Sequence, residues 1–424
     1  MITFMSNFAV PKFKLYWGYG ANNGDLRGGS TGLPVDTQPN PLPYDQRNYR
    51  QHFLKWMNTA FGRLRMEWPF PSSVSRCIIS FYARASQDVF YPADFIADSD
   101  FFALRDGWSS NARRVLALKF QRHPTIQTKA ALQVRWGSST QQSSSQGTTA
   151  AETANDFVTA REWMHIEILY EGGYFEIWVN GQKELQGSVP HSDIGAAGPQ
   201  WESWFWPDCR WADMVVQTGQ DAALLGRHRI THRFLNGDVV TSWNATTSNV
   251  LSGNPNSAYW HWLQLSERDG WPQFPSQYCD ASSYVIPPDV ETDDYEAYSV
   301  ESGNPVGSVH AVCLNAYAIP LSSSSPGSLQ LLLRRSQDGQ TYLSPDLVVP
   351  PYVAGQTGRQ RVQVLQWILP QDPSTGQSWR EYELNGGVWQ PGLRRGSGCY
   401  VTHLSLERLH ASVGVGAGAR YTVR

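Results

Sequence analysis

Residues 163–181 carry the strictest pattern in the chain. Trp163, His165, Glu167 and Leu169 alternate with Met164, Ile166, Ile168 and Tyr170, and Glu171-Gly172-Gly173 then supplies a turn. Beyond it Tyr174, Glu176 and Trp178 alternate with Phe175, Ile177 and Val179, and the run ends on Asn180-Gly181. A period of two places successive side chains on opposite faces of a strand. Two such runs flanking a glycine turn form a β-hairpin. Its apolar face needs a second layer to cover it, which favours a sandwich.

Further runs bounded by Gly, Pro, Asp or Ser mark strands at 75–85, 101–104, 115–120, 132–136 and 213–216. In the second half they fall at 228–234, 283–286, 296–299, 307–319, 328–335, 361–368 and 398–409, with Asn236-Gly237 read as a turn. The Ser/Gln/Gly-rich stretch 138–149 reads as a solvent-exposed loop. Residues 18–46 are rich in Gly, Asn, Pro and Asp without periodicity, an extended arm or a packed surface loop. Residues 47–58 suggest a short helix.

A chain of 424 residues is long for one sandwich and suits two. A composition shift at 219–226 sets the boundary, giving domains 1–222 and 223–424. The expected fold class is all-β: two β-sandwich (jelly-roll or concanavalin-like) domains with an extended N-terminal arm.

The chain has 18 Trp, 19 Tyr and 17 Phe but only 17% charged residues, which suits strands and tight turns better than helices. A formal net charge of −3 with scattered arginines argues against a nucleic-acid partner. No window approaches the ~20 apolar residues of a spanning helix, and the N-terminus lacks a signal-peptide pattern. A soluble protein made in the cytoplasm, with no membrane partner, is expected. Cys77, Cys209, Cys279, Cys313 and Cys399 form no Cys-x-x-Cys pair, so buried, reduced thiols are expected. Asn244-Ala245-Thr246 is a formal glycosylation sequon without a secretory context. With no phosphate loop, calcium loop or nucleotide motif, no cofactor is expected.

The stretch from Trp163-Met164-His165 through the glycine turn to Asn180-Gly181 resembles the laminin-G/concanavalin-like superfamily, which implies a sandwich around residues 163–181. In the second half, Arg334-Arg335-Ser336-Gln337-Asp338-Gly339-Gln340-Thr341-Tyr342 precedes Trp367, then Asp372-Pro373-Ser374-Thr375-Gly376-Gln377-Ser378-Trp379 and Glu383-Leu384-Asn385. That order is similar to a C-terminal module of tailed-bacteriophage structural proteins. It departs from that pattern in the longer, Trp- and Pro-rich segment 263–288. The resemblance implies a virion component assembled in the host cytoplasm.

Three constellations bear on chemistry. Glu291, Asp293 and Glu296 have the spacing of a concanavalin-fold glycosidase. The intervening Thr292, Asp294 and Tyr295 break the acid/apolar alternation that a strand would require, so an acidic surface loop is the favoured reading. His165 reads as a sheet-face histidine, since no nucleophile motif lies near. His228 and His232 share a strand face with Ile230 but lack a third metal ligand, which favours a solvated or subunit-facing strand. Finally, Trp201, Trp204, Trp206 and Trp211 cluster tightly, and Trp260, Trp262 and Trp271 form a second group. Their density in Pro-rich loops favours packing between subunits or domains, over plain core or stacking on sugar rings.

The expectation is therefore a non-enzymatic structural component of a tailed-phage virion (capsid decoration, neck, or tail/fibre). Its partners would be other virion proteins and further copies of itself. The alternative is a glycan-binding tail adhesin that contacts a host surface glycan; a depolymerase is the third reading.

Overall fold

The structure, a computed structural model, describes residues 1–6, 14–17, 35–36, 53–55, 64–68, 70, 72–85, 100–106, 113–126, 128–137, 147–160, 162–195, 197–203, 209–233, 235–245, 265, 285–286, 294–302, 308–352 and 363–411. The chain divides into two compact units, Met1–His228 and Arg229–Ala411. Strand is the dominant element of the described residues, and a short helix spans Glu381–Asn385. None of their helices is long and apolar enough to cross a membrane.

The first unit contains β1 (Ile2–Ser6), β2 (Lys14–Trp17), β3 (Val35–Asp36), β4 (Phe53–Lys55), β5 (Leu64–Glu67), β6 (Arg76–Ala85), β7 (Asp100–Arg105) and β8 (Arg114–Arg122). It continues with β9 (Lys129–Gly137), β10 (Thr148–Glu152), β11 (Val158–Thr159), β12 (Trp163–Glu171), β13 (Tyr174–Val179), β14 (Gln182–Ser188), β15 (Gly198–Ser203) and β16 (Cys209–Thr218). Sheet I runs β14-β13-β12-β6-β16-β4-β3, with β1 also on β16; sheet II runs β10-β9-β8-β7-β15-β5-β2, with β11 also on β9. The sheets pack face to face: Phe81 of sheet I meets Trp201 of sheet II edge-on at 6.0 Å, and Phe102 lies 5.5 Å from the same indole.

The hairpin expected at 163–181 is the best-defined part of sheet I. Ile166 lies opposite Val179 and Glu171 opposite Tyr174. Gly172 and Gly173 have φ of 55° and 95°, the two positive values that a two-residue turn matched to strand twist requires. A Cβ on Gly173 would sit 2.8 Å from the Val189 carbonyl oxygen, so only glycine fits. Asn180-Gly181 repeats the device (φ 54° and 85°) and adds β14, while Asn180 Oδ1 accepts the His165 N–H at 3.1 Å.

The second unit contains β17 (His228–Arg233), β18 (Leu235–Val240), β19 (Asn244–Ala245), β20 (Val285–Ile286), β21 (Tyr295–Val300) and β22 (Val309–Pro320). After these come β23 (Gly327–Arg335), β24 (Thr341–Leu343), β25 (Leu347–Val349), β26 (Gln363–Leu369), β27 (Trp389–Ser397) and β28 (Cys399–Ala411). Sheet III runs β19-β20-β28-β22-β26 with β17 on β28, and sheet IV runs β18-β21-β27-β23-β24 with β25 on β23. Leu314 and Leu406 of sheet III share one core with Leu331 and Leu393 of sheet IV.

The residues 372–379 close this core. Asp372 Oδ1 accepts both the N–H and the hydroxyl of Ser374 at 2.7 Å, and Gly376 sits at φ 67°. The buried Trp379 donates Nε1–H to the Leu369 carbonyl at 2.9 Å and meets Trp389 edge-on at 5.6 Å. The motif is thus a turn followed by an aromatic anchor.

Several expectations change. Phe53–Lys55 is a strand rather than helix, because it pairs with β16 through Leu54 and Lys55. Asn236-Gly237 lies inside β18, where a register shift absorbs Gly237 as a bulge. Thr148 and Thr149 begin an exposed edge strand. The boundary falls at 228/229 instead of 222/223, because residues 222–228 bond back onto sheet I. Of the arm at 18–46, only Val35–Asp36 is described, as β3. Cys77, Cys313 and Cys399 are buried free thiols, and burial holds Cys77 well above the usual thiol range and Cys399 at about 12; Cys209 is described in β16 by its backbone alone, and Cys279 lies outside the described residues.

Candidate functional site

The outer face of sheet I has two ends. At the first, the parity that alternation gives to His165 and Glu167 puts them beside Tyr82 and Ser80 of β6. All four are buried (2% exposed or less) because the chain after β16 folds back across them. This strap is fixed by Gln217 Nε2 donating to the Ala223 carbonyl (2.8 Å) and Arg76 Nη2 donating to that of Ala222 (3.1 Å). Glu167 Oε1 accepts the backbone N–H of Leu225 at 2.8 Å, and Oε2 that of Gly226 at 3.1 Å.

His228 completes the cluster. Its Nε2 lies 2.9 Å from the Asp213 carbonyl, which can only accept. Asp213 can present that carbonyl because it sits at φ 45° in a bulge of β16. The His228 Nδ1 lies 3.2 Å from the Gly226 carbonyl, 3.3 Å from Ser80 Oγ and 3.2 Å from His165 Nε2; Ser80 Oγ is also 2.9 Å from His165 Nε2. Burial, then His228 and Arg227, hold the His165 imidazole well below its ordinary range. Burial pushes the Glu167 carboxyl up, more than its hydrogen bonds from Leu225, Gly226 and Ser80 pull it down. A serine, two histidines and a carboxylate stand together here, yet no substrate could reach them while the strap is docked.

At the other end the same face is open. Tyr174, Glu176 and Trp178 lie in line along β13, with Gln186 opposite Glu176 and Lys183 opposite Trp178 on β14. Tyr174 is 39% exposed, Trp178 and Glu176 are half-buried, and Lys183 and Gln186 are exposed. Glu176 gathers them: it accepts Trp178 Nε1–H at 2.9 Å, Lys183 Nζ at 3.0 Å and the Tyr174 hydroxyl at 3.0 Å. Lys183 Nζ also stands 5.9 Å from the Trp178 ring centre, within cation–π reach. Burial alone would raise the Glu176 carboxyl, but the bonds from Trp178, Lys183 and Tyr174 outweigh it and hold the group below the usual carboxylate range. The result is an exposed platform whose two aromatic rings are set in place by one carboxylate.

The outer face of sheet II is polar as well. Register places Arg105, Lys119, Gln133, Arg135 and Gln200 on one face with the small Ala103, Ala117 and Ala131. Each of the five polar side chains is at most 9% exposed.

The residues singled out from sequence fall elsewhere. Trp201 and Trp211 are fully buried in the first unit's core, out of reach of a glycan. Trp204, Trp206, Trp260, Trp262 and Trp271 lie outside the described residues, as do Glu291 and Asp293. Glu296 is not in a surface loop. It is buried in β21, where it accepts the N–H of Ser242 and Trp243 at 2.6 Å and the Tyr298 hydroxyl at 2.7 Å. His228 and His232 are buried instead of solvated, and the described residues contain no cluster of three metal-ligating side chains. In the sequence Tyr174, Glu176 and Trp178 stand out only as strand residues; their signal is Tyr-x-Glu-x-Trp, which at period two shares one face.

No family model and no curated protein matches the sequence. Among solved structures, a Bacillus subtilis protein of unknown function with a galectin-like fold is similar over 51% of this chain and 96% of its own, at 9% identity and a TM-score of 0.33. The VIP36 exoplasmic/lumenal domain in a Ca2+/Man-bound form aligns with 41% of this chain and 81% of its own (11% identity, TM-score 0.29). Domain 4 of AbnA, a Geobacillus stearothermophilus arabinanase in complex with arabinotriose, aligns with 39% and 75% (14% identity, TM-score 0.25). Likenesses of this size carry no functional argument.

Proposed function

We propose that this chain is a non-enzymatic glycan-binding protein that takes saccharide on the open end of sheet I. The observation that carries this reading is the line of the exposed Tyr174 and the half-buried Glu176 and Trp178, with the exposed Lys183 and Gln186 beside it. Aromatic rings offer flat apolar faces with a polar edge, suited to the C–H faces of a sugar. Tyr174 and Trp178 are four positions apart along the strand, about 13 Å at the usual rise, so an extended oligosaccharide could touch both rings. Glu176 uses three of the roughly four acceptor sites of a carboxylate on its own neighbours, leaving room for a sugar hydroxyl. Gln186 and Lys183 add donors.

A flat platform buries less ligand than a pocket, so single-site affinity would be weak and repeated copies would raise it by avidity. A homo-oligomer fits that need. The absence of enzyme activity belongs to the same proposal: the described carboxylate of the suspected trio, Glu296, is occupied by three donors in the core. A glycan array probed with fluorescently labelled protein tests the reading. Retention on a defined set of saccharides supports it, and uniform absence of signal at high loading sinks it.

A second reading, a building block of a tailed-phage virion, is favoured by the order of the 334–342 and 372–379 motifs. The two are compatible, since an adhesin displayed on a particle would do both. Mass spectra of purified particles lacking peptides of this chain would count against it.

A further inference from the structure

We propose that the strap 219–228 is an acid-released latch: it stays docked on sheet I while His165 is neutral and opens when that ring takes up a proton. Its release would free the residues that connect the two units along the chain.

The geometry around His165 sets this up. Nε2 has Ser80 Oγ and His228 Nδ1 within 3.2 Å, but Nδ1 is buried with no partner among the described residues. A charged imidazole must donate from both nitrogens. The charged ring therefore holds a buried Nδ1–H that no described group accepts, which is costly until water reaches it. The groups facing the ring are Tyr82 from β6 (centroids 4.9 Å apart), Glu167 on its own strand, the Asp213 carbonyl behind His228, and Arg227 and His228 from the strap. Arg227 repels the added charge. Glu167 is the nearby anion, and its oxygens are taken by Leu225 and Gly226. Lifting the strap hydrates His165 and separates it from His228 and Arg227 together.

The signs can be worked out. The His165 imidazole is held below its unfolded value of 6.5, so docking is fully favoured above that pH and weakens as pH falls from there. Glu167 acts in opposition, because its raised carboxyl holds a proton more readily while the strap is docked. Glu167→Gln removes that opposition and keeps an acceptor for the strap N–H groups, so it should move opening to higher pH.

Amide hydrogen exchange on the full chain from pH 7.5 to 5, corrected for intrinsic rates, tests the latch. Protection at Leu225 and Gly226 should fall by about tenfold per pH unit for each proton taken up, while Ile168 and Ile177 in the adjoining hairpin keep theirs. His165→Gln should flatten the dependence. Strap protection that is flat in the wild-type protein, or an undiminished slope in His165→Gln, overturns the proposal. If that variant does not fold, the wild-type imidazole titration decides. A His165 that protonates with the strap amides still protected contradicts the latch, and one that protonates as they open supports it.

Discussion

The two ends of one sheet face differ in what lies over them. At one end Ser80, His165 and Glu167 are covered by the strap; at the other, on the neighbouring strand, Tyr174 is exposed and Glu176 and Trp178 are half-buried, and Glu167 lies directly opposite Trp178 in the register. Each end is organised by a carboxylate that collects three donors. Glu167 collects backbone N–H groups of a segment some sixty residues away in sequence, so it holds the chain together. Glu176 collects side chains from its own hairpin, so it shapes a surface. Residue type does not separate a structural carboxylate from a binding one here; the origin of the donors does.

Substitutions can break that comparison. Glu167→Ala should be the most damaging, costing about 2–3 kcal/mol because strap N–H groups lose a buried acceptor; urea denaturation measures it. Acid should come next: the urea midpoint should fall as pH drops below about 6.5, the ordinary imidazole value, and fall more steeply in Glu167→Gln. Glu176→Ala should cost less than about 1 kcal/mol, as expected for partly exposed ion pairs. Lys183→Ala should barely move the midpoint, while weakening retention on any glycan that the array identifies. A Glu176→Ala effect as large as that of Glu167→Ala would erase the distinction.

Much of the fold was legible in the sequence. Alternation gave the parity of every residue in the hairpin, and Gly172-Gly173 and Asn180-Gly181 gave its turns, because these are local properties of the backbone. What covers a face is not local. His165 and Glu167 have the pattern of a solvated face, and only the return of residues 222–228 buries them. Glu296 was equally opaque, since its donors at Ser242 and Trp243 lie more than fifty residues upstream. The density of tryptophans around 201–211 pointed toward loops and interfaces, yet Trp201 lies at the core parity of β15, opposite Phe102. Local crowding of aromatics said less than their place in the alternation.

The most direct measurement is calorimetric titration of the best array saccharide into the wild-type protein and into Trp178→Ala. The account predicts saturable binding that Trp178→Ala weakens about tenfold or more, the loss of about 1.4 kcal/mol or greater expected for an anchoring aromatic, with the melting temperature nearly unchanged. Equal affinity in the two proteins would contradict it.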